Sequence, residues 1–360
     1  MMLPIEDNVS KRINSLRFLL IVFVVFIHNA AIRKGVNFSD GTETYPIPPY
    51  IQNIVGIVSY FTSVAVPLFF IISSYLLYKK ESDFITVFKK KYKTILLPYL
   101  IWHVLTILFF YAAQSFSFTK RYFVNIIIRN FTMLDWIQAF IGKFTDGENA
   151  ALHTPFVYQF WFLRDLFILS ISFMIIKKLI DRFPIFMFIA FLILWISGMN
   201  IYIVNTGALF YFSLGYYIVK YNIDYRLADN IELYDIMPAY GIIIITGLFF
   251  SKHIAVIGNI NIIIAVLFFI KISNYFVNNQ NLYDILDRLK VHAFFVYALH
   301  GILEAILIKL SVLIIPMRQG WLLVQYFGVS IITIVLLVIM GMVLKKITPT
   351  LYGILTGGRV

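Results

Sequence analysis

The sequence predicts an all-α fold, a polytopic transmembrane helix bundle of about ten spans forming a single domain over residues 1–360. Three observations carry this. The 360 residues are 61% hydrophobic and only 13% charged, whereas a soluble domain carries roughly 25% charged residues. Too little polar surface is left to cover a water-soluble globule of this size. The apolar residues also gather into runs approaching the roughly 20 residues that a bilayer crossing needs. Finally, Lys and Arg fall in short clusters between those runs, as orientation signals do. The 18% aromatic content, mostly Phe and Tyr, suits lipid-facing surfaces and interfacial belts.

The first span, 16–34, follows Lys11, Arg12 and Arg17 and has no small-x-small cleavage site at its end, so it reads as a retained span rather than a signal peptide. The second, 52–78, carries Pro67 as its one conspicuous interruption, and the third, 94–116, opens on Pro98-Tyr99. The segment 117–156 is broken by polar residues; its stretch 125–141 is amphipathic and is expected at the membrane interface, as a surface helix sealing the bundle or a lid over a site. The remaining spans are 157–177, 184–200, 203–220, 236–252, 255–274, 291–314 and 321–345, with 184–200 and 203–220 short and tightly joined through Asn200 and Asn205. With the N-terminus inside, 20 of the 30 basic residues fall on the inner side. That bias places both termini in the cytoplasm and the chain in the cell membrane as a multi-pass protein.

The formal net charge of +12 raises nucleic acid as a partner, but the dispersal of Lys and Arg between apolar runs argues against one. The absence of Cys excludes disulfides, thiol nucleophiles and Cys metal ligands. No spacing of His and carboxylates suggests a metal site among His103, His153, His253 and His292.

Ionisable residues inside spans are costly in hydrocarbon and are therefore functional candidates. Arg17 and His28 lie eleven residues apart, about 20° beyond three helical turns, so they share one face about 16 Å apart along the axis. The alternative is an orientation charge and a histidine bonded to a backbone carbonyl. His300 and Glu304 also share a face, four residues apart; the carboxylate could orient the imidazole, with Tyr297 beside them as a donor. Trp161, Arg164 and Asp165 are candidates for acceptor binding. Arg164 and Asp165 are adjacent in sequence and do not share a helix face, so each is expected to find another partner, and an inter-helix ion pair is the structural alternative.

Five strings stand in order along the chain: Arg17-x10-His28; Val66-Pro67-Leu68-Phe69-Phe70-Ile71-Ile72-Ser73-Ser74-Tyr75; Lys89-Lys90-Lys91-Tyr92-Lys93 running to Pro98-Tyr99; Phe160-Trp161-Phe162-Leu163-Arg164-Asp165; and Phe294-Phe295-Val296-Tyr297-Ala298-Leu299-His300. In these the chain resembles the acyltransferase 3 family of membrane-bound acyltransferases, over a core of about 11–345. The resemblance implies O-acylation, usually O-acetylation, of a sugar hydroxyl on a surface polysaccharide or lipid-linked glycan. The implied donor is a cytoplasmic acyl-CoA, used as substrate, with no permanently bound cofactor. It maps the family's essential Arg and His onto Arg17 and His28, and its Arg-x-x-Arg pair onto Lys90 and Lys93. Ser74 stands where the family usually has Gly, and Lys replaces Arg in the basic pair, which keeps charge but loses bidentate phosphate geometry. The implied partners are acyl-CoA, a glycan or lipid-linked saccharide acceptor, the lipid bilayer and, where the chain does not act alone, a separate periplasmic or extracellular transferase.

These readings combine into an expected mechanism. Lys89, Lys90, Lys91 and Lys93, with Arg12 and Arg17, supply a field for the donor's phosphates, while Lys79 and Lys80 read as topology. His28 acts as general base on the acceptor hydroxyl. The competing class is a transporter of a glycan or lipid-linked intermediate; the lack of repeated halves favours the enzyme.

Overall fold

The computed structural model describes residues 7–29, 36–37, 44–45, 47–80, 82–116, 128–142, 154–201, 204–250, 256–314 and 320–359. His153, His253 and much of 117–156 lie outside these. The described chain is almost entirely helical, with two short antiparallel hairpins, Val36–Asn37 with Thr44–Tyr45 and Asn200–Ile201 with Val204–Asn205.

Helix α1 (Asp7–Asn29) is the hub, packing against α2 (Pro49–Thr62), α3 (Ala65–Tyr78), α12 (Val256–Asn278), α13 (Gln280–Leu289), α14 (Ala293–Ile314) and α15 (Trp321–Ile347). The α2–α3 break falls at Ser63-Val64 because Pro67 lacks an N–H for the Ser63 carbonyl and its ring crowds that turn. Asn261 of α12 fills the gap: its side-chain amide donates to the Tyr60 carbonyl at 3.0 Å and to Ser63 Oγ at 3.1 Å. In lipid such freed backbone groups must be satisfied from within the protein.

Helix α4 (Phe84–Lys91) starts at Asp83, whose side chain accepts the Thr86 N–H at 3.0 Å. This hydrogen bonding holds the Asp83 carboxyl below the usual carboxylate range. A π-helical turn (Tyr92–Leu96) then leads into α5 (Leu97–Ser115). Helix α6 (Met133–Ile141) begins in a capping box between Thr132 and Asp135. It leaves Met133, Leu134 and Ile137 exposed, consistent with an interfacial position.

Helices α7 (Trp161–Ile171) and α8 (Phe173–Arg182) are bent by 61° at Ser172. Asn205 closes the second hairpin and caps α10 (Thr206–Lys220), accepting from Gly207 N–H at 2.9 Å and Ala208 N–H at 3.2 Å. This connects α9 (Pro184–Ser197) to α10 within a few residues. Helix α3 packs closely along α10. A Cβ on Gly215 would lie 2.6 Å from both the Ile71 carbonyl oxygen and Ser74 Cβ. The small residue that this approach requires therefore sits on α10, which leaves room for Ser74 on α3.

Helices stand at all ten predicted positions, but the count of ten crossings is not confirmed. Among the described residues six helices are long and apolar enough to cross by length and composition: Pro49–Tyr78, Phe84–Ser115, Leu233–Phe250, Val256–Asn278, Gln280–Ser311 and Trp321–Ile347. The bent α7–α8 pair would make seven. Helices α9 and α10, of 14 and 15 residues, rise only about 21–23 Å, short of a hydrocarbon core of about 30 Å. The outward faces of α11 (Leu233–Phe250) and α15 expose Ile242, Ile245 and Phe249, and Ile331, Val335 and Ile339. Surfaces of this kind belong against lipid, because contiguous apolar faces of this extent are unstable in water.

After α15 the chain turns back as α16 (Pro349–Leu355) beneath α5 and α14. Trp102 Nε1–H donates to the Leu355 carbonyl at 2.9 Å, and Tyr352 O–H to the Val291 carbonyl at 3.1 Å.

Candidate functional site

A cavity of about 590 Å³ opens at the end of the bundle where α1 begins. Six cationic side chains line it: Arg17 of α1, Lys80 after α3, Lys90 and Lys91 of α4, Lys290 before α14, and Arg359 after α16. Among the described residues no carboxylate lines it. Among the described residues Lys290 alone of the six forms an ion pair, with Asp287. The charge clusters that the sequence assigns to a single side thus converge from separate segments on one mouth. Gathering like charges in one concavity is unfavourable without an anion, since each pair repels by Coulomb's law and the low-dielectric walls weaken screening.

Inward, the walls become apolar: Ile21 and Val24 of α1, Val66, Phe69 and Ile72 of α3, Phe162, Leu163 and Leu166 of α7, with Phe294 and Tyr297 of α14. Arg17, Ile21 and Val24 follow the i, i+4, i+7 face of α1, and the next residue on that face is His28, one turn or about 6 Å farther on. The cavity thus runs along the helix face that the Arg-x10-His spacing defines.

Beyond it, the half-buried His28 ring faces His300 with centroids 5.0 Å apart, and Tyr158 edge-on at 4.9 Å. His300 is fully buried, and its Nδ1–H donates to the Tyr297 carbonyl at 2.7 Å. That bond assigns the tautomer, leaving Nε2 as a lone-pair acceptor with no hydrogen-bond partner among the described residues. Glu304 is buried one turn on, with Oε1 likewise unpartnered among the described residues. Two unsatisfied polar atoms beside a histidine pair are costly unless something polar enters.

The expectation that Glu304 orients His300 does not hold in this geometry, because Nδ1 of the ring is taken by the Tyr297 carbonyl and Nε2 makes no hydrogen bond among the described residues. Tyr297 spends its own O–H on the Gln159 carbonyl at 2.6 Å, so it ties α7's entry to α14 while its ring lines the inner cavity. Gly301 makes that contact feasible, since a Cβ there would lie 2.9 Å from Gln159 Oε1.

Other sequence candidates fall elsewhere. Lys90 lines the cavity but Lys93 is exposed and does not. A π turn adds a residue to the helical register and rotates the residues beyond it, so a spacing of three spanning Lys90 and Lys93 does not keep both on the cavity face. Lys91, on the near side of the π turn, lines it instead. Arg12 is withdrawn from the donor field by a two-pronged pair with Asp229, at 3.0 and 2.5 Å. Lys80, expected to serve topology, lines the cavity.

Arg164 and Asp165 pair with each other, with Nη2 to Oδ1 at 2.8 Å, because the long arginine wraps round the helix to its neighbour. Each also has a second partner, as expected: Arg164 Nη1–H donates to the Ile141 carbonyl at 2.6 Å, and Asp165 Oδ2 accepts the Asn205 N–H at 2.8 Å. The buried pair thus joins α6, α7 and the second hairpin. Trp161 packs near Phe70, with ring centroids 6.5 Å apart, and does not line the cavity. His103 donates Nδ1–H to the Tyr99 carbonyl at 2.8 Å within α5, and His292 bonds Tyr352 through Nδ1 at 2.9 Å. Among the described residues no group of His, Cys, Asp and Glu could hold a metal ion.

Sequence reasoning missed Tyr158, Lys290 as a wall residue, and Arg359. Tyr158 lies only two residues before a recognised string, and its position gave it away no further. Arg359 carried no motif, since nothing in Gly357-Gly358-Arg359 announces that the tail folds back onto the mouth.

Known proteins point the same way. The succinoglycan biosynthesis protein ExoH of Rhizobium meliloti (strain 1021) is 28% identical over 229 residues, 62% of this chain and 58% of that protein. The chain therefore matches less than two thirds of this curated relative's length. No solved structure matches. The model of the acyltransferase domain of the acyltransferase 3 type matches residues 10–342, a range holding α1 with Arg17 and His28, the basic α4, and α14 with His300. The chain belongs to the acyltransferase 3 family, in the form of a polytopic membrane helix bundle.

Proposed function

We propose that this protein is a membrane-bound O-acyltransferase that moves an acyl group, in the first instance acetyl, from acyl-CoA to a sugar hydroxyl of a surface polysaccharide or lipid-linked glycan. The observation that carries the reading is the cavity. It has six cations at its mouth, no carboxylate among the described lining residues and an apolar throat along α1 that stops one turn short of the His28–His300 pair. A polyphosphorylated head with a long, thin, mostly uncharged arm is the donor shape that fits it. The basic end is assigned to the cytoplasm of a cell membrane, where acyl-CoA is found, with support from the charge bias of the loops. The polysaccharide acceptor is supported by the family and by the name of the relative.

In this mechanism the mouth cations hold the nucleotide phosphates and the apolar throat excludes water from the thioester. The acceptor hydroxyl enters from the His28 side. His28 takes its proton as the oxygen bonds the thioester carbonyl carbon. The tetrahedral intermediate then collapses with cleavage of the C–S bond, and the His28 imidazolium returns the proton to the departing thiolate. Ester and free CoA are the products. His300, locked by the Tyr297 carbonyl, presents its Nε2 lone pair to the same space.

The test uses the purified full chain in liposomes with radiolabelled acetyl-CoA, with and without acceptor glycan. Label in the glycan with stoichiometric CoA release is expected. Acceptor flux without CoA consumption would overturn the enzyme in favour of a transporter.

A further inference from the structure

We propose that the Gly357-Gly358-Arg359 turn is a donor-binding element in which Arg359 grips a phosphate of the acyl donor opposite Arg17. This rests on the acyl-CoA reading above and goes beyond it, because the turn lies outside the residues 10–342 that the family model matches.

The turn is built to deliver this side chain. Gly357 and Gly358 both adopt left-handed backbone conformations, with φ of +66° and +77°, which side-chain-bearing residues rarely adopt. At Gly357 there is no room for a side chain either, since a Cβ would lie 2.5 Å from the Thr94 carbonyl oxygen. The turn is thereby pressed against the π turn that follows Lys91. Arg359 Nη1–H donates to the Thr94 carbonyl at 3.0 Å and to the Thr356 carbonyl at 2.6 Å. Its guanidinium carbon stands 4.4 Å over the Phe294 ring, a cation–π contact. Only one of its nitrogens is used in these bonds. Among the described residues Nε and Nη2 make no hydrogen bond, and no carboxylate pairs with the charge.

Upstream, the tail is fixed by Trp102 on the Leu355 carbonyl and by Thr356 Oγ1–H donating to the Tyr352 carbonyl at 2.7 Å. Arg359 is charged at neutral pH, as guanidinium groups are. A guanidinium held on one edge, with its other edge free in a cavity of cations, has the geometry of a phosphate clamp.

The test is calorimetric titration of coenzyme A into the full chain in detergent. Arg359→Gln is expected to raise Kd roughly tenfold, as loss of a charged hydrogen-bond partner does. Gly357→Ala, which changes no charge but lifts the turn off Thr94, is expected to do the same. Arg359→Lys, which keeps the charge but loses the guanidinium edge, should recover only part of the affinity, and Lys346→Gln, an equal loss of charge at an exposed position of α15, should leave Kd unchanged. If the wild type fails to bind coenzyme A, the donor reading itself falls. If the wild type binds and Arg359→Gln and Gly357→Ala bind equally well, this inference alone is overturned. It is also overturned if Arg359→Lys binds as tightly as the wild type, since the guanidinium edge would then contribute nothing.

Discussion

Replacing Lys91 by Gln and, separately, Lys93 by Gln sets the register of the structure against the spacing of the sequence. Both residues belong to the same basic run, and the Arg-x-x-Arg analogy selects Lys90 and Lys93. The π turn at Tyr92–Leu96 instead leaves Lys91 half-buried in the cavity wall and Lys93 exposed outside it. A charge-assisted hydrogen bond to phosphate in the half-buried wall contributes about 1.5–3 kcal/mol, or roughly 10- to 150-fold in affinity at about 1.4 kcal/mol per tenfold. An exposed lysine beyond the wall acts only through screened solvent, over distances near a Debye length of about 8–10 Å. About twofold or less is then expected. Coenzyme A affinity of the two variants, measured by calorimetry at one fixed salt concentration, compares them directly. A larger loss for Lys93→Gln than for Lys91→Gln would refute the cavity assignment and restore the sequence spacing.

Other outcomes rest on the same geometry. His28→Gln should lower acetyl transfer by at least about 100-fold, the usual scale for loss of a general base, while coenzyme A binding stays unchanged; near-normal turnover in the radiolabel assay would remove His28 from the chemistry. Gly215→Ala should destabilise the bundle by about 1–3 kcal/mol through overpacking against Ile71 and Ser74, seen as a lower Tm in detergent. Adding Ser74→Gly should restore part of that loss. Asp165→Ala should cost about 3–5 kcal/mol, because it strands the Arg164 charge and the Asn205 N–H. A thermal melt indistinguishable from wild type would show that the α6–α7–hairpin junction does not depend on this pair.

Much of the fold was legible because a bilayer imposes a one-dimensional rule, in which apolar length sets a candidate crossing. Helices stand at every predicted position for that reason. The number of crossings was less legible, because the rule does not register how Ser172 bends a run or how a hairpin joins two helices too short to cross alone. That Arg17 and His28 share a face was readable because eleven residues on one straight helix leave almost no angular freedom. Lys93 misled because its spacing to Lys90 runs through a π turn, and no local signal in Tyr92–Leu96 announces the changed register. The pairing of Arg164 with Asp165 was misjudged because Cβ direction governs which faces residues share, but not how far a long arginine reaches.

By itself the sequence determined that this chain lives in a membrane, and that one helix carries an arginine and a histidine on a common face. Composition and helical period decide those matters without reference to any other segment. Tertiary structure alone decided that Lys80, Lys91, Lys290 and Arg359 share the mouth with Arg17, that His300 meets His28, and that Arg12 is neutralised by Asp229. These are meetings between residues up to several hundred positions apart. They depend on which helix faces pack together, and that is set by close approaches such as Gly215 on Ser74 and by the left-handed turn at Gly357 and Gly358, rather than by any periodicity along the chain.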